Sequence, residues 1–253
     1  MFVFLLFAVS CLSLLTVILT SYYYNGINTR IIKRYHVQFT PLVNFTRENF
    51  VNQRIWIIGT SGAGKSTLGR MLSHLLNVDL LPMDQVRFQK DGGWKYNPDE
   101  DIASTITTFI QQESWIMEGT AFGVERRLNR SLFINEKVTR IIFLDPPLTT
   151  LTVRILKRSI MRCWLKSKLF NTENVETFRG VFQFWKKDSI LNWLFTSYQG
   201  EIKKYCTVMQ ECGNSNTLMV FHVTSESELN SLLSSFSSEV GLAELTKLRS
   251  HKN

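Results

Sequence analysis

The chain has 253 residues, 44% of them hydrophobic and 20% charged, and a net charge of +8. That is ordinary globular composition with some membrane bias, with room for one α/β domain of roughly 200 residues beside an apolar segment of about twenty. The cysteines Cys11, Cys163, Cys206 and Cys212 show neither zinc-site spacing nor a disulfide framework, and no internal repeat is visible.

Residues 2–20 carry no charge. As a helix rising 1.5 Å per residue they would span about 29 Å, close to the ~30 Å hydrocarbon core of a bilayer. Tyr22, Tyr23 and Tyr24 follow, as an interfacial aromatic belt would. No Lys or Arg precedes the stretch, whereas Arg30, Lys33 and Arg34 come soon after it. The positive-inside rule then puts the C-terminal side in the cytoplasm. The expectation is a single-pass transmembrane anchor over residues 1–24. A cleaved signal peptide is the alternative, but a basic n-region and a small-x-small cleavage site are missing. Residues 25–53 show no clear period and are expected to form a juxtamembrane linker with some local order.

The stretch Gly59-Thr60-Ser61-Gly62-Ala63-Gly64-Lys65-Ser66-Thr67 matches G-x-x-x-x-G-K-S, a phosphate-binding (Walker A) loop. An apolar run, Arg54 to Ile58, precedes it as a buried strand should. Leu68, Met71, Leu72, Leu75 and Leu76 follow at helical spacing. Glycines let the loop turn its N–H groups inward, and the helix N-terminus adds partial positive charge. The pattern implies phosphate binding by Gly59, Ser61, Gly62, Ala63, Gly64, Lys65, Ser66 and Thr67. Lys65 would reach the outer phosphates, and Ser66 would offer its hydroxyl to Mg²⁺.

Beyond the loop, strands alternate with helices. Val78 to Pro82 is expected as a strand ending at Met83-Asp84. A helix follows from Asn97-Pro98-Asp99 to about Gln112, with acidic residues in its first turn. Trp115 to Gly119 is a third strand, Ala121 to Arg130 a helix, and Val138 to Leu144 a strand stopped by Asp145-Pro146-Pro147. Leu148 to Cys163 is a helix. Arg154, Lys157, Arg158, Arg162, Lys166 and Lys168 form one basic cluster on and beyond it. Residues 164–200 are aromatic and basic, with helical stretches. Ile202 to Cys212 is a helix, Thr217 to Val223 a fifth strand, and Ser225 to Glu228 a capping box opening the last helix. Such alternation implies a parallel sheet covered on both faces, with ligands at the strands' C-terminal ends.

These stretches resemble the adenylate-kinase-like P-loop kinases, and within them the bacterial group labelled "DNA topology modulation protein". The resemblance runs from about Arg54 to Leu233. It rests on Ile57 to Leu68, Met83-Asp84, Gly93-Trp94 with Pro98, Trp115-Ile116-Met117-Glu118-Gly119, Arg140 to Asp145, and Arg154 to Arg158. It implies a P-loop NTPase three-layer sandwich with a five-stranded parallel sheet over residues 54–236, a helical lid at about 165–199 and a tail over 237–253. It also implies an ATP- and Mg²⁺-dependent kinase acting on a nucleotide, nucleoside or similar small acceptor. Asp84 would contact the acceptor hydroxyl, Arg87 or Arg127 would grip an acceptor phosphate, and Arg154 would lie against the adenine. Arg158 and Arg162 would reach the transferred phosphate. Glu118 stands where the group has Asp as a water-mediated Mg²⁺ ligand.

Blander readings stand beside these. Asp84 could cap a turn, Glu118 could face solvent, and the helix arginines could be a solvated face. Trp164, Trp185, Trp193, Phe178, Phe182, Phe184 and Phe195 suit a lid core or a membrane-facing patch better than base stacking. His36, His74, His222 and His251 show no triad or metal spacing. A nucleic-acid binder using the basic cluster at residues 154–168, and a degenerate kinase fold tethering partners at a membrane, are the competing functions.

Overall fold

A computed structural model describes residues 26, 28–129, 131–132, 134–178, 190–212 and 217–236. The expected anchor over residues 1–24 and the tail over 237–253 lie outside them. Among the described residues, no helix is long and apolar enough to cross a membrane.

The centre is a five-stranded sheet. Its strands are β1 (Arg54–Gly59), β2 (Leu80–Pro82), β3 (Trp115–Glu118), β4 (Arg140–Leu144) and, last in sequence, β7 (Met219–Val223). Their order is β2-β3-β1-β4-β7, and every pairing is parallel. A strand hydrogen-bonded on both sides and covered on both faces is largely apolar. Accordingly β3 and β4 are buried at every position, and β1 at all but Arg54.

The helices connect these strands, except the last, which follows β7. They are α1 (Lys65–Leu76), α2 (Met83–Arg87), α3 (Asp99–Phe109), α4 (Phe122–Leu128), α5 (Ile134–Lys137), α6 (Leu148–Leu165), α7 (Ile190–Cys212) and α8 (Glu226–Phe236). α1 buries Leu68, Met71, Leu72 and Leu75, a stripe at helical spacing. Asn77 ends it in the left-handed conformation, its N–H returning to the Ser73 carbonyl. The expected capping box opens α8: the Ser225 hydroxyl accepts from the Glu228 N–H, while Glu228 accepts from the Ser225 N–H.

Two segments differ from the expectation. Residues 28–53, read as a linker, are built into the fold. Phe45 and Phe50 are 1% and 0% exposed, and their rings pack on each other and on Phe221 of β7. Thr40 exchanges hydrogen bonds with Val220, covering the sheet's outer edge. Buried Arg140 donates to the carbonyls of Asn49, Thr139 and Thr217. Irregular segments show no periodicity in sequence, so their burial was not legible.

The second is the expected lid over 165–199. Residues 168–175 form an antiparallel hairpin, β5 (Lys168–Leu169) and β6 (Asn174–Val175), rather than a helix. The hairpin docks on the turn after α2: Phe170 stacks on Phe88, and Asn174 accepts from the Trp94 N–H at 2.6 Å. The last ten residues, 190–199, belong to α7, whose Leu194 and Tyr198 are core residues. Trp164 and Phe178 are exposed. The side chains of Phe182, Phe184, Trp185, Trp193 and Phe195 lie outside the description.

Candidate active site

The phosphate-binding loop joins β1 to α1 at the C-terminal edge of the sheet, next to the strand ends of β3 and β4. Its glycines are required by its shape. Gly62 and Gly64 have φ of +82° and +102°, conformations that side chains disfavour. At Gly59 a Cβ would lie 2.4 Å from the Leu144 carbonyl oxygen, which no side chain could tolerate. Gly64 is the N-cap of α1, where no side chain caps the free N–H groups and no acidic residue occupies the first turn. The helix end therefore keeps its donors and its positive potential for an anion.

Lys65 donates to the Thr60 carbonyl at 3.0 Å. Burial holds its ammonium pKa below the usual value, against the opposing charges of Glu118 and Asp84. An enclosed ammonium whose described hydrogen bond is to one neutral carbonyl suits an incoming anion. Ser66 donates to Glu118 Oε1 at 2.8 Å. Glu118 is 4% exposed, and burial raises its carboxyl pKa despite Lys65 and the Ser66 hydrogen bond. One buried carboxylate beside one hydroxyl is a hard-oxygen donor pair of the kind Mg²⁺ takes when phosphates and water complete its shell. Among the described residues no group of three or more His, Cys, Asp or Glu could hold a metal by itself.

Asp84, in the first turn of α2, is within electrostatic reach of Lys65, Glu118 and Arg158. Arg87 lies one turn on, 3.4 Å from Asp84, and donates to the Thr120 carbonyl at 2.9 Å. Of the two arginines considered for an acceptor phosphate, Arg87 faces this centre. Arg127 makes a bidentate pair with Asp99 at the start of α3, at 2.6 and 2.7 Å.

The basic row on α6 divides by turn of the helix. Arg158 points back to the loop, donating to the Ser61 hydroxyl at 3.3 Å, and among the described residues its buried Nε has no hydrogen-bond partner. Burial, then the neighbouring Arg162, draw its pKa down to about 10. Arg162 pairs with Glu176 at 3.0 Å, and Arg154 with Glu226 of α8 at 2.8 Å. Lys168 pairs with Glu173 across the hairpin turn. The cluster is thus not one continuous cationic face for nucleic acid.

Sequence reading missed Tyr205. Its hydroxyl, fully enclosed, donates to the Gly59 carbonyl at 3.0 Å and so braces the start of the loop from α7. Burial pushes its pKa well above the ordinary range. In sequence it is one more apolar-face residue of a helix, and nothing marks it. His222 also has a structural place, stacked between Phe39 and Phe143 and bonded to Asp145 at 3.3 Å.

Fold and loop together define a P-loop α/β protein with a five-stranded parallel sheet. No protein-family model matches the chain. A stretch of 61 residues is 36% identical to part of the pentafunctional AROM polypeptide of Pneumocystis carinii, covering 24% of this chain and 3% of that polypeptide. Among solved structures, a shikimate kinase from Bacteroides thetaiotaomicron is 18% identical with a TM-score of 0.42, covering 77% of this chain and 98% of its own. The shikimate kinase of Acinetobacter baumannii, in complex with shikimate, is 14% identical with a TM-score of 0.40, covering 84% and 100%. These likenesses are too distant to assign a substrate.

Proposed function

We propose that this chain transfers the γ-phosphoryl group of ATP to a nucleotide, nucleoside or similar small acceptor. The carrying observation is the convergence of Lys65, Ser66, Glu118, Asp84, Arg87 and Arg158 on one loop at the sheet's C-terminal edge. Phosphoryl transfer needs alignment and charge stabilisation more than covalent help, and these residues supply both.

In this reading the loop amides and Lys65 hold the β- and γ-phosphates of the donor. Ser66 and, through water, Glu118 would hold Mg²⁺, which when bound neutralises charge on the phosphates. Asp84 accepts a hydrogen bond from the acceptor hydroxyl and orients it in line. Arg87 grips an anionic group on the acceptor. Arg158, whose Nε has no partner among the described residues, meets the charge that develops on the transferred group, with Arg162 one turn behind. Arg154 flanks the base of the donor. The adenylate-kinase-like character and the membrane anchor over residues 1–24, with the kinase domain cytoplasmic, belong to the same reading. The charge-free run of residues 2–20 supports the anchor.

The test is a product screen with the full chain in detergent. ATP and Mg²⁺ are mixed with nucleoside monophosphates, nucleosides and hydroxy acids such as shikimate. Phosphorylated product stoichiometric with ADP is expected from one acceptor class. ADP release unchanged by every acceptor would reject the kinase reading.

A further inference from the structure

A cleft of about 380 Å³ lies apart from the phosphate-binding loop, between helical residues 28–34 and α7. It is lined by Arg30, Ile31, Arg34, Tyr35, Gln199 and Lys203. Residues four apart on a helix share a face, so Arg30 and Arg34 project from one wall, Gln199 and Lys203 from the other. Buried Ile31 and half-buried Tyr35 are the apolar part of the lining. Hydrogen bonds join the two walls on either side: Asn28 donates to the Tyr198 hydroxyl at 2.8 Å, and the Gln210 side chain donates to the Tyr35 carbonyl.

Three cations thus border one cleft, and among the described residues none of their side chains makes a hydrogen bond or ion pair. No acid lies in residues 28–34, and the nearest on α7, Glu201, is engaged by Lys204 at 2.7 Å. Cations collected without a counter-charge repel one another, and a bound anion relieves that repulsion. Two guanidinium forks, an ammonium and a side-chain amide are donors suited to the oxygens of a phosphate.

We infer that this cleft binds a phosphate-bearing anion. The apolar run of residues 2–20 ends ten residues before Arg30, the first charged side chain in the sequence, which points to an anionic lipid headgroup as the source. A soluble phosphate has the same chemistry, and the experiment separates the two.

The full chain is held in neutral detergent micelles, and the acylation rate of each lysine is mapped by mass spectrometry. The micelles contain phosphatidylcholine, phosphatidylglycerol, or phosphatidylcholine with added inorganic phosphate. Phosphatidylglycerol should slow modification of Lys203 about tenfold relative to phosphatidylcholine, while Lys204 and Lys33 change little. Arg34→Gln and Arg30→Gln should each remove the protection, and Lys33→Gln, an equal loss of charge outside the cleft, should retain it. Protection by inorganic phosphate supports the site and makes its ligand soluble. Lys203 unprotected in all three, or protection lost equally in Lys33→Gln, overturns the inference.

Discussion

Ser66 and Glu118, 52 residues apart in sequence, are joined by a 2.8 Å hydrogen bond that ties the first turn of α1 to the end of β3. The carboxylate is buried, and the hydroxyl sits at the mouth of the site. Glu118→Gln keeps the shape and a hydrogen bond but removes the charge. Its turnover should fall about 100-fold at fixed Mg²⁺, with partial recovery as Mg²⁺ is raised. Titration of the rate with Mg²⁺ checks this, and an unchanged rate would remove Glu118 from the metal's shell.

Lys65→Met deletes the ammonium and keeps the stem. Phosphoryl transfer should drop by about 1,000-fold or more. Stability should change by less than about 1 kcal/mol, because relief of the buried charge is offset by the lost attraction to Glu118 and Asp84. Single-turnover kinetics beside thermal unfolding separates the two effects. A variant that unfolds early would show that Lys65 also has a structural role.

Gly59→Ala would place a methyl group 2.4 Å from the Leu144 carbonyl oxygen, so β1 and β4 must separate where they pair. The cost should be roughly 3 kcal/mol, near the overpacking limit for a core position. Chemical denaturation reads it directly. A loss below about 1 kcal/mol would mean that the strands separate readily there.

Phe45→Ala tests whether residues 28–53 belong to the domain. The ring is 1% exposed, and its removal should cost about 3–4 kcal/mol. A segment that were only a tether would show almost no change in the denaturation midpoint.

Asp145 is expected to give a pH signature. Burial holds its carboxyl above the ordinary 3.8, although His222 and Tyr198 pull the other way. The native state therefore binds this proton more tightly than the unfolded chain. The stability it contributes is complete below 3.8 and is lost as pH rises through the raised folded value. Asp145→Asn, which carries no charge, should unfold at or above the wild-type midpoint at neutral pH. The difference should shrink toward about pH 4. A midpoint well below wild type at neutral pH would show that the carboxylate is needed charged.

The phosphate-binding loop was readable because its residues are contiguous, and the glycines, lysine and serine act through backbone conformation and a helix end. Asp84, two residues past β2, and Glu118, the last residue of β3, were readable because apolar runs stop there. The arginines of α6 were not separable in sequence. Arg154, Arg158 and Arg162 are evenly spaced, yet one meets Glu226, one the loop, and one Glu176, because different elements pack along the helix.

Sequence by itself determined the five strands of the sheet, the long helices between them and the residue pattern of the loop, since these are written in local periodicity and in adjacent residues. Tertiary structure alone decided that Tyr205 braces Gly59 from 146 residues away and that residues 28–53 fill the core beside β7. It also decided that Arg30 and Arg34 face Lys203 across a cleft. Contacts between distant segments depend on how helices and sheet pack, and no local pattern encodes that packing.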